Sequence, residues 1–213
     1  MDRVTVVTKQ GTLRGDTQTS KYSDNTFYSF KGVPYAKPPL GDLRFKAPQD
    51  PEPWEGVKDA LKETAYCKQA GDRGSEDCLV LNVYTPKLPS GDTSDSDAGL
   101  PVMMWIHGGG FTNGNGNSVI FDPEFIVNEE VVFVSINYRL GVLESFPLPL
   151  KGFLSLDGTD VSSNNGLRDQ LAALKWIKQN IAQFGGDPET VTVSGQSAGG
   201  ASVHYLLMSP LSR

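Results

Sequence analysis

The stretch TVTVSGQSAGGASVHYLLM (residues 190–208) constrains the fold more than any other part of the chain. The β-branched residues Thr190, Val191, Thr192 and Val193 run almost directly into Gly195-Gln196-Ser197-Ala198-Gly199, and small and apolar residues suited to a helix follow at once. A strand that turns straight into a helix is a building unit of α/β domains. The spacing G-x-S-x-G by itself describes many glycine-rich turns. At a strand-to-helix junction it has a physical reason. The serine backbone is forced into a strained conformation, and flanking side chains would run into the neighbouring strand and helix. Such a turn lifts the Ser197 hydroxyl above the sheet edge. It also leaves the Ala198 amide at a helix N-terminus, aimed at a developing negative charge.

The remaining pattern agrees with an α/β chain. Strands are expected at residues 79–86 (LVLNVYTP), 101–108 (PVMMWIHG), 131–139 (VVFVSINYR) and 190–195 (TVTVSG), all rich in β-branched and aromatic residues. Several are apolar on both faces, as strands covered on both sides must be. Leu167, Leu171, Leu174, Ile177, Ile181 and Phe184 recur every three or four residues, one apolar stripe of an amphipathic helix. Gly185 and Gly186 stop that helix, and Pro188 follows. FDPEFIVNEE (residues 121–130) starts a second helix, with Asp122 as its cap and Pro123 in its first turn. VTVVTK and GTLRG form a small N-terminal hairpin around Gln10 and Gly11. GDTSDSDAGLP (residues 91–101) is an exposed loop, too short to link domains, so residues 1–213 are expected to belong to one domain.

Composition removes several functional classes. Nineteen Lys and Arg face 25 Asp and Glu, a net charge of -6 with no basic cluster, which argues against binding a nucleic-acid backbone. The longest apolar runs, such as VVFVSI (residues 131–136), are strand-sized and far short of a membrane span. MDRVTVVTKQ has no apolar leader core, and no N-x-S/T sequon occurs, so the chain as written reads as cytoplasmic, or as secreted if a segment precedes it. The two cysteines, Cys67 and Cys78, either close a short loop or stay as free thiols.

A second motif supports the first. WIHGGGF (residues 105–111) ends an apolar strand in three glycines, whose bare backbone lets N–H groups approach a substrate oxygen. Gly109 and Gly110 are the natural donors, joining Ala198 in a three-donor oxyanion hole. No Lys-Ser or Lys-Thr follows these glycines, so a P-loop is excluded. The chain has two histidines, His107 and His204. His204 lies seven residues past Ser197, about 10 Å along a helix axis, whereas a general base must come within about 3 Å of the serine proton. His107 begins the glycine loop, where its ring is placed to pack under the glycines or orient their backbone.

Together YSFKGVPYAKPPLGDLRFKAPQ, SEDCLVLNVYTP, VMMWIHGGGF, NYRLG, NNGLRDQLAALKWIKQNIAQFGGDP and VSGQSAGGASVHYLLMSPLS span nearly the whole chain. The set resembles the N-terminal part of a carboxylesterase of the cholinesterase-like α/β-hydrolase family, insect esterase branch. That resemblance implies an α/β-hydrolase fold with a mostly parallel central sheet, a Cys67–Cys78 disulfide, and structural ion pairs Arg44–Glu76 and Arg139–Asp169. It implies a carboxylic ester hydrolase with Ser197 as nucleophile, Gly109, Gly110 and Ala198 as oxyanion hole, and no metal or cofactor. In α/β-hydrolases the acid and histidine follow the serine in sequence. The chain is therefore expected to be the N-terminal portion of a longer enzyme and inactive alone. Its expected partner is a small-molecule ester; neither a membrane nor a protein partner is expected. Two places depart from the pattern. ESFPLPLK (residues 144–151) interrupts the segment between NYRLG and GFLSL, as a loop near the site or a misjudged splice. Gln196 stands where many relatives carry glutamate, and it resembles the GQSAG of juvenile hormone esterases. The alternatives are a juvenile hormone esterase-like hydrolase and a non-catalytic, cholinesterase-like binding or scavenger protein.

Overall fold

The computed structural model describes residues 1–213 except 1, 65, 72, 90–98, 142–151, 156–157 and 213. The interrupting segment 144–151 and most of the polar loop 91–101 thus lie outside the described residues. Eight strands form one mixed sheet: β1 (Arg3–Thr8), β2 (Gly11–Thr19), β3 (Thr26–Pro34), β4 (Val57–Asp59), β5 (Val80–Thr85), β6 (Leu100–Ile106), β7 (Val132–Ile136) and β8 (Gly186–Gly195). Three α-helices accompany them: α1 (Glu124–Val127), α2 (Asn165–Asn180) and α3 (Ala198–Met208). The strand order is β1-β2-β3-β5-β7-β6-β8, with β4 paired to β2. Strands β6, β7 and β8 are mutually parallel, and β1, β2, β3 and β5 make an antiparallel run that carries the expected hairpin.

Each element follows from local chemistry. Lys9 and Gln10 turn the hairpin between Thr8 and Gly11, and the Thr8 hydroxyl donates to the Gly11 carbonyl at 2.8 Å. Strands β5 and β7 are buried along their whole length, as their two-sided apolar sequences require. The long helix ends as α at Asn180, tightens into one 3₁₀ turn over Ile181–Phe184, and stops at Gly185, whose φ of 82° favours glycine. The N-cap position of the one-turn α1 falls on Pro123, one residue later than expected, and Asp122 just before it accepts the Glu124 N–H at 3.1 Å.

The core lies between the sheet and α2. Phe30, Leu81, Met104, Ile106, Ile136, Ile177, Ile181 and Phe184 are fully enclosed. Phe184 meets Phe30 edge-on with ring centres 5.0 Å apart. The buried Asn180 side chain accepts the Lys9 N–H at 2.9 Å and donates to the Trp176 carbonyl at 3.0 Å, tying the hairpin to the end of α2. Among the described residues no helix is long and apolar enough to cross a membrane.

Candidate active site

Strand β8 delivers the chain to Ser197, which begins α3 with φ 56° and ψ -120°. This left-side backbone is costly for a non-glycine residue and persists only where the surroundings impose it. Two neighbours do so. A Cβ on Gly199 would overlap the Ile106 carbonyl of β6, and one on Gly195 would come within 2.5 Å of the Gly199 carbonyl carbon. The glycines flanking the serine let α3 start directly against β6. Ser197 itself is exposed, while Ala198 and Gly199 are buried. The Ala198 N–H is the first of the helix and has no partner within it.

Strand β6 ends beside this turn and continues into the glycine loop. Gly108 is buried against the elbow: a Cβ there would stand 2.7 Å from the Gln196 carbonyl oxygen and 3.1 Å from the Ser197 Cβ. Gly109 (φ 110°) and Gly110 (φ 60°) then turn outward into the solvent-facing part of the loop. The Gly109 carbonyl is occupied by the N–H groups of Thr112 and Asn113, at 3.0 and 3.1 Å. Phe111 follows, its ring tilted against Phe153 with centres 4.8 Å apart.

His107 sits behind this loop. It is 1% exposed and stacks on Tyr138 at 4.4 Å between ring centres. Its Nδ1 lies 2.8 Å from the Gly108 carbonyl oxygen, which only accepts, so Nδ1 carries the proton. Burial pushes the ring pKa down to about 4, against a partly opposing lift from that carbonyl, and the imidazole is neutral near pH 7. Tyr138 donates its hydroxyl to the His107 carbonyl at 2.9 Å. His204 is exposed on α3. Among the described residues, no hydrogen bond joins Ser197 to either histidine.

A buried polar frame that sequence reasoning missed holds the returning arm of the loop. Gly116 donates its N–H to Asn137 Oδ1 at 2.9 Å, and its carbonyl accepts from the Ser135 hydroxyl at 2.6 Å and from Asn82 Nδ2 at 3.2 Å. Gln69 grips Gly114 on both its backbone groups. The only local signal for this frame was polar residues inside apolar strands (Asn82 in β5, Ser135 in β7).

The other sequence-predicted residues fall in two places. Cys67 and Cys78 form a disulfide. Arg139 and Asp169 form a bidentate pair at 2.7 and 2.8 Å with 6% and 0% of their side chains exposed. Arg139 also donates to the Lys46 carbonyl at 2.8 Å. Burial alone would lower the pKa of the Arg139 guanidinium, but the charge and hydrogen bond of Asp169 together with Tyr35 outweigh it and hold it above its ordinary value. Arg44 and Glu76 pair at 3.0 Å but are 41% and 20% exposed. The first pair is a core feature and the second a surface one. Among the described residues no group of three or more metal-ligating side chains occurs.

Chemically, the arrangement offers an exposed hydroxyl on a strained turn, backed by amides of a glycine loop and a helix start. That suits attack on a carbonyl and stabilisation of the resulting oxyanion. The model of the carboxylesterase family matches residues 2–213. The chain is 46% identical over 215 residues to juvenile hormone esterase of Tribolium castaneum, covering 98% of this chain and 34% of that protein. It is 43% identical over 221 residues to para-nitrobenzyl esterase of Bacillus subtilis (strain 168), covering 98% of this chain and 41% of that protein. The solved structure of juvenile hormone esterase from Manduca sexta, with OTFP covalently attached, matches at a TM-score of 0.87 and 42% identity, over 99% of this chain and 39% of that one. The chain thus spans well under half the length of these relatives.

Proposed function

We propose, from the premise that this chain belongs to the carboxylesterase family, that it supplies the nucleophile and oxyanion hole of a serine carboxylesterase completed by a further segment. The observation that supports this reading is the close approach of Gly108, at the start of the glycine loop, to the backbone turn that carries the exposed Ser197. Ser197 Oγ attacks the ester carbonyl carbon and passes its proton to a histidine base outside this chain. The amides of Gly109, Gly110 and Ala198 receive the negative charge on the carbonyl oxygen. Collapse expels the alcohol, which takes up the proton, and leaves an acyl-serine that water hydrolyses by the same steps in reverse roles. No step requires a metal or organic cofactor.

The substrate is a small ester of apolar character, given Phe111 and Phe153 beside the loop. Gln196 and the juvenile hormone esterase of Tribolium castaneum favour a juvenile hormone esterase-like substrate as the second reading. The Bacillus para-nitrobenzyl esterase is almost as similar, so overall identity does not choose the ester. The Cys67–Cys78 bridge favours an oxidising compartment, and hence the secreted alternative over the cytoplasmic one.

The decisive experiment compares Ser197→Ala with the unmodified full-length protein on a short activated ester and on juvenile hormone-type esters. Loss of about 10⁶-fold in kcat is expected for the nucleophile. Retention of most activity would exclude Ser197, and an intact serine with no turnover on any ester would favour the scavenger reading. Residues 1–213 expressed alone are expected to show no robust turnover in the same assay.

A further inference from the structure

We propose that Gln69 is a positioning residue for the oxyanion loop, and that through it the Cys67–Cys78 loop bears on the rate of acyl transfer. The inference rests on the reading of the glycine loop as an oxyanion hole. The C=O of Gly108 and the N–H of Gly109 belong to one planar peptide unit and point in opposite directions. Whatever holds that carbonyl therefore aims that amide. The buried His107 ring donates to it from below at 2.8 Å. Gly114 closes the other side. A Cβ on Gly114 would overlap His107 Nδ1 and stand 2.5 Å from the Gly108 carbonyl oxygen, so the Gly114 backbone lies directly against this hydrogen bond.

Gln69 fixes Gly114 there. Its Oε1 accepts the Gly114 N–H at 3.2 Å, and its Nε2 donates to the Gly114 carbonyl at 2.9 Å and to the Cys67 carbonyl at 3.0 Å. Both Nε2 protons and the oxygen are thereby used, and the opposite amide orientation would set like groups against one another. Gln69 is 4% exposed, so no water replaces a lost partner cheaply. The base of this clamp is held by backbone hydrogen bonds. The Gln69 N–H donates to the Arg73 carbonyl at 3.0 Å and the Lys68 N–H to the Ser75 carbonyl at 2.9 Å, inside the loop that the disulfide closes. The chain of contact thus runs from the disulfide loop through Gln69 and Gly114 to the Gly108–Gly109 peptide. No step of the reaction uses Gln69 itself.

The test uses the full-length protein with Gln69→Leu, close in size but without the three bonds, and Gln69→Glu, which keeps only the acceptor. Labelling with a phosphonate counts reactive Ser197, so a fault in the nucleophile assignment is seen separately. With labelling stoichiometry intact, kcat on a carbonyl ester is expected to fall about 10- to 100-fold in Gln69→Leu, since misaimed donors lose part of their effect. KM should stay within about twofold. Affinity for a trifluoromethyl ketone, which forms a tetrahedral oxyanion on the serine, should fall in parallel with kcat. Affinity for the matching unreactive alcohol should hold, and Gln69→Glu should lie between. An unchanged kcat, or equal losses of affinity for ketone and alcohol, overturns the proposal in favour of a merely structural role. If neither variant folds, hydrogen exchange on the unmodified protein decides. The Gly114 amide should exchange as slowly as those of β6, and rapid exchange there overturns the proposal.

Discussion

Strands β7 and β8 flank β6 in the same parallel register, yet they live in different surroundings. Val102 faces Val132 on one side and Val191 on the other, Met104 faces Val134 and Val193, and Ile106 faces Ile136 and Gly195. Every residue of β7 is buried, whereas in β8 only Gly186 is. β7 (VFVSI) is more apolar than β8 (GDPETVTVSG), and their places in the sheet add to the difference. Strand β5 continues the sheet beyond β7, while among the described residues nothing pairs with the outer edge of β8. Beside that edge Val191, Val193, Leu171, Leu174, Val203 and Leu206 line an open groove of about 600 Å³. The two halves of the candidate site therefore rest on unequal support. The glycine loop grows from a strand held on both sides, and the Ser197 turn grows from a strand with no partner on its outer edge among the described residues.

The largest effect that would sharpen this contrast lies on the β7 side. Asp169→Ala leaves the Arg139 guanidinium, just past β7, buried without its partner. A loss of about 3–5 kcal/mol in unfolding free energy is expected for such a site. Glu76→Ala, at the half-exposed pair, should cost about 1 kcal/mol or less. Similar denaturation midpoints for the two variants would show that burial does not separate these pairs.

The next effect is set by pH and reports the packing behind the oxyanion loop. His107 titrates at about 4 in the fold, below its ordinary 6.5. Between these values the unfolded chain binds more protons, so its contribution is full above about pH 6.5 and is lost as pH falls through about 4. The loss amounts to about 3 kcal/mol at most. Stability measured against pH should flatten over this window in His107→Gln. A slope equal to that of the unmodified protein would mean that other groups carry it.

Gly199→Ala breaks the elbow's contact with β6. Its Cβ would overlap the Ile106 carbonyl, and separating strand from helix should cost about 1–3 kcal/mol. The same change at Gly200 meets its nearest atom at 3.3 Å, and Ala gains up to about 1 kcal/mol in helix propensity, so it should be close to neutral. Thermal unfolding of the two variants checks the difference; equal costs would remove the steric account of the motif.

A last pair of variants tests the edge itself. Val134→Ala in β7 should cost about 1.5–3 kcal/mol, the value of a fully buried valine. Val193→Ala, at the corresponding place in β8, is half-buried and should cost no more than about half of that. Equal losses in the full-length protein, set against unequal losses in residues 1–213, would show that a further segment covers β8.

Much of this was legible in the sequence where the determinants are close together along the chain. The G-x-S-x-G turn, its preceding strand and its following helix declare themselves within 19 residues; Gly195 is required by Gly199 four residues on, although Gly199 itself answers to the Ile106 carbonyl at the end of β6. The hairpin at Lys9 and Gln10 and the stop at Gly185 are local in the same sense. Strand β3 was not legible. Its run TFYSFKGVP breaks alternation at a bulge between Phe30 and Val33, and pairing with β2 on one side and β5 on the other makes the segment a strand. Strand β4 is three exposed residues that exist as a strand only because Thr12, Leu13 and Arg14 pair with them.

The helix shows where hydrophobic spacing and tertiary packing part. The apolar stripe on α2 was correctly periodic, but Leu167, Leu171 and Leu174 end half-buried, because they face the open groove side. The most enclosed face carries Asn165, Asp169 and Gln170 with Ala173 and Trp176. These polar residues are inside because partners meet them there: Arg139 for Asp169, and the Ser202 hydroxyl for Gln170 at 3.0 Å. No periodicity encodes a partner 30 residues away.

By itself the sequence determined where the glycine-rich turns at residues 107–110 and 195–199 fall, since the strand, glycine and helix residues that mark them stand together along the chain. Only the tertiary structure decided that His107 is buried and stacked on Tyr138, that Arg139–Asp169 is a core pair, and that Gln69 grips Gly114 across 45 positions. Those outcomes depend on burial and on partners brought together by sheet order, and neither quantity exists until the strands have found their neighbours.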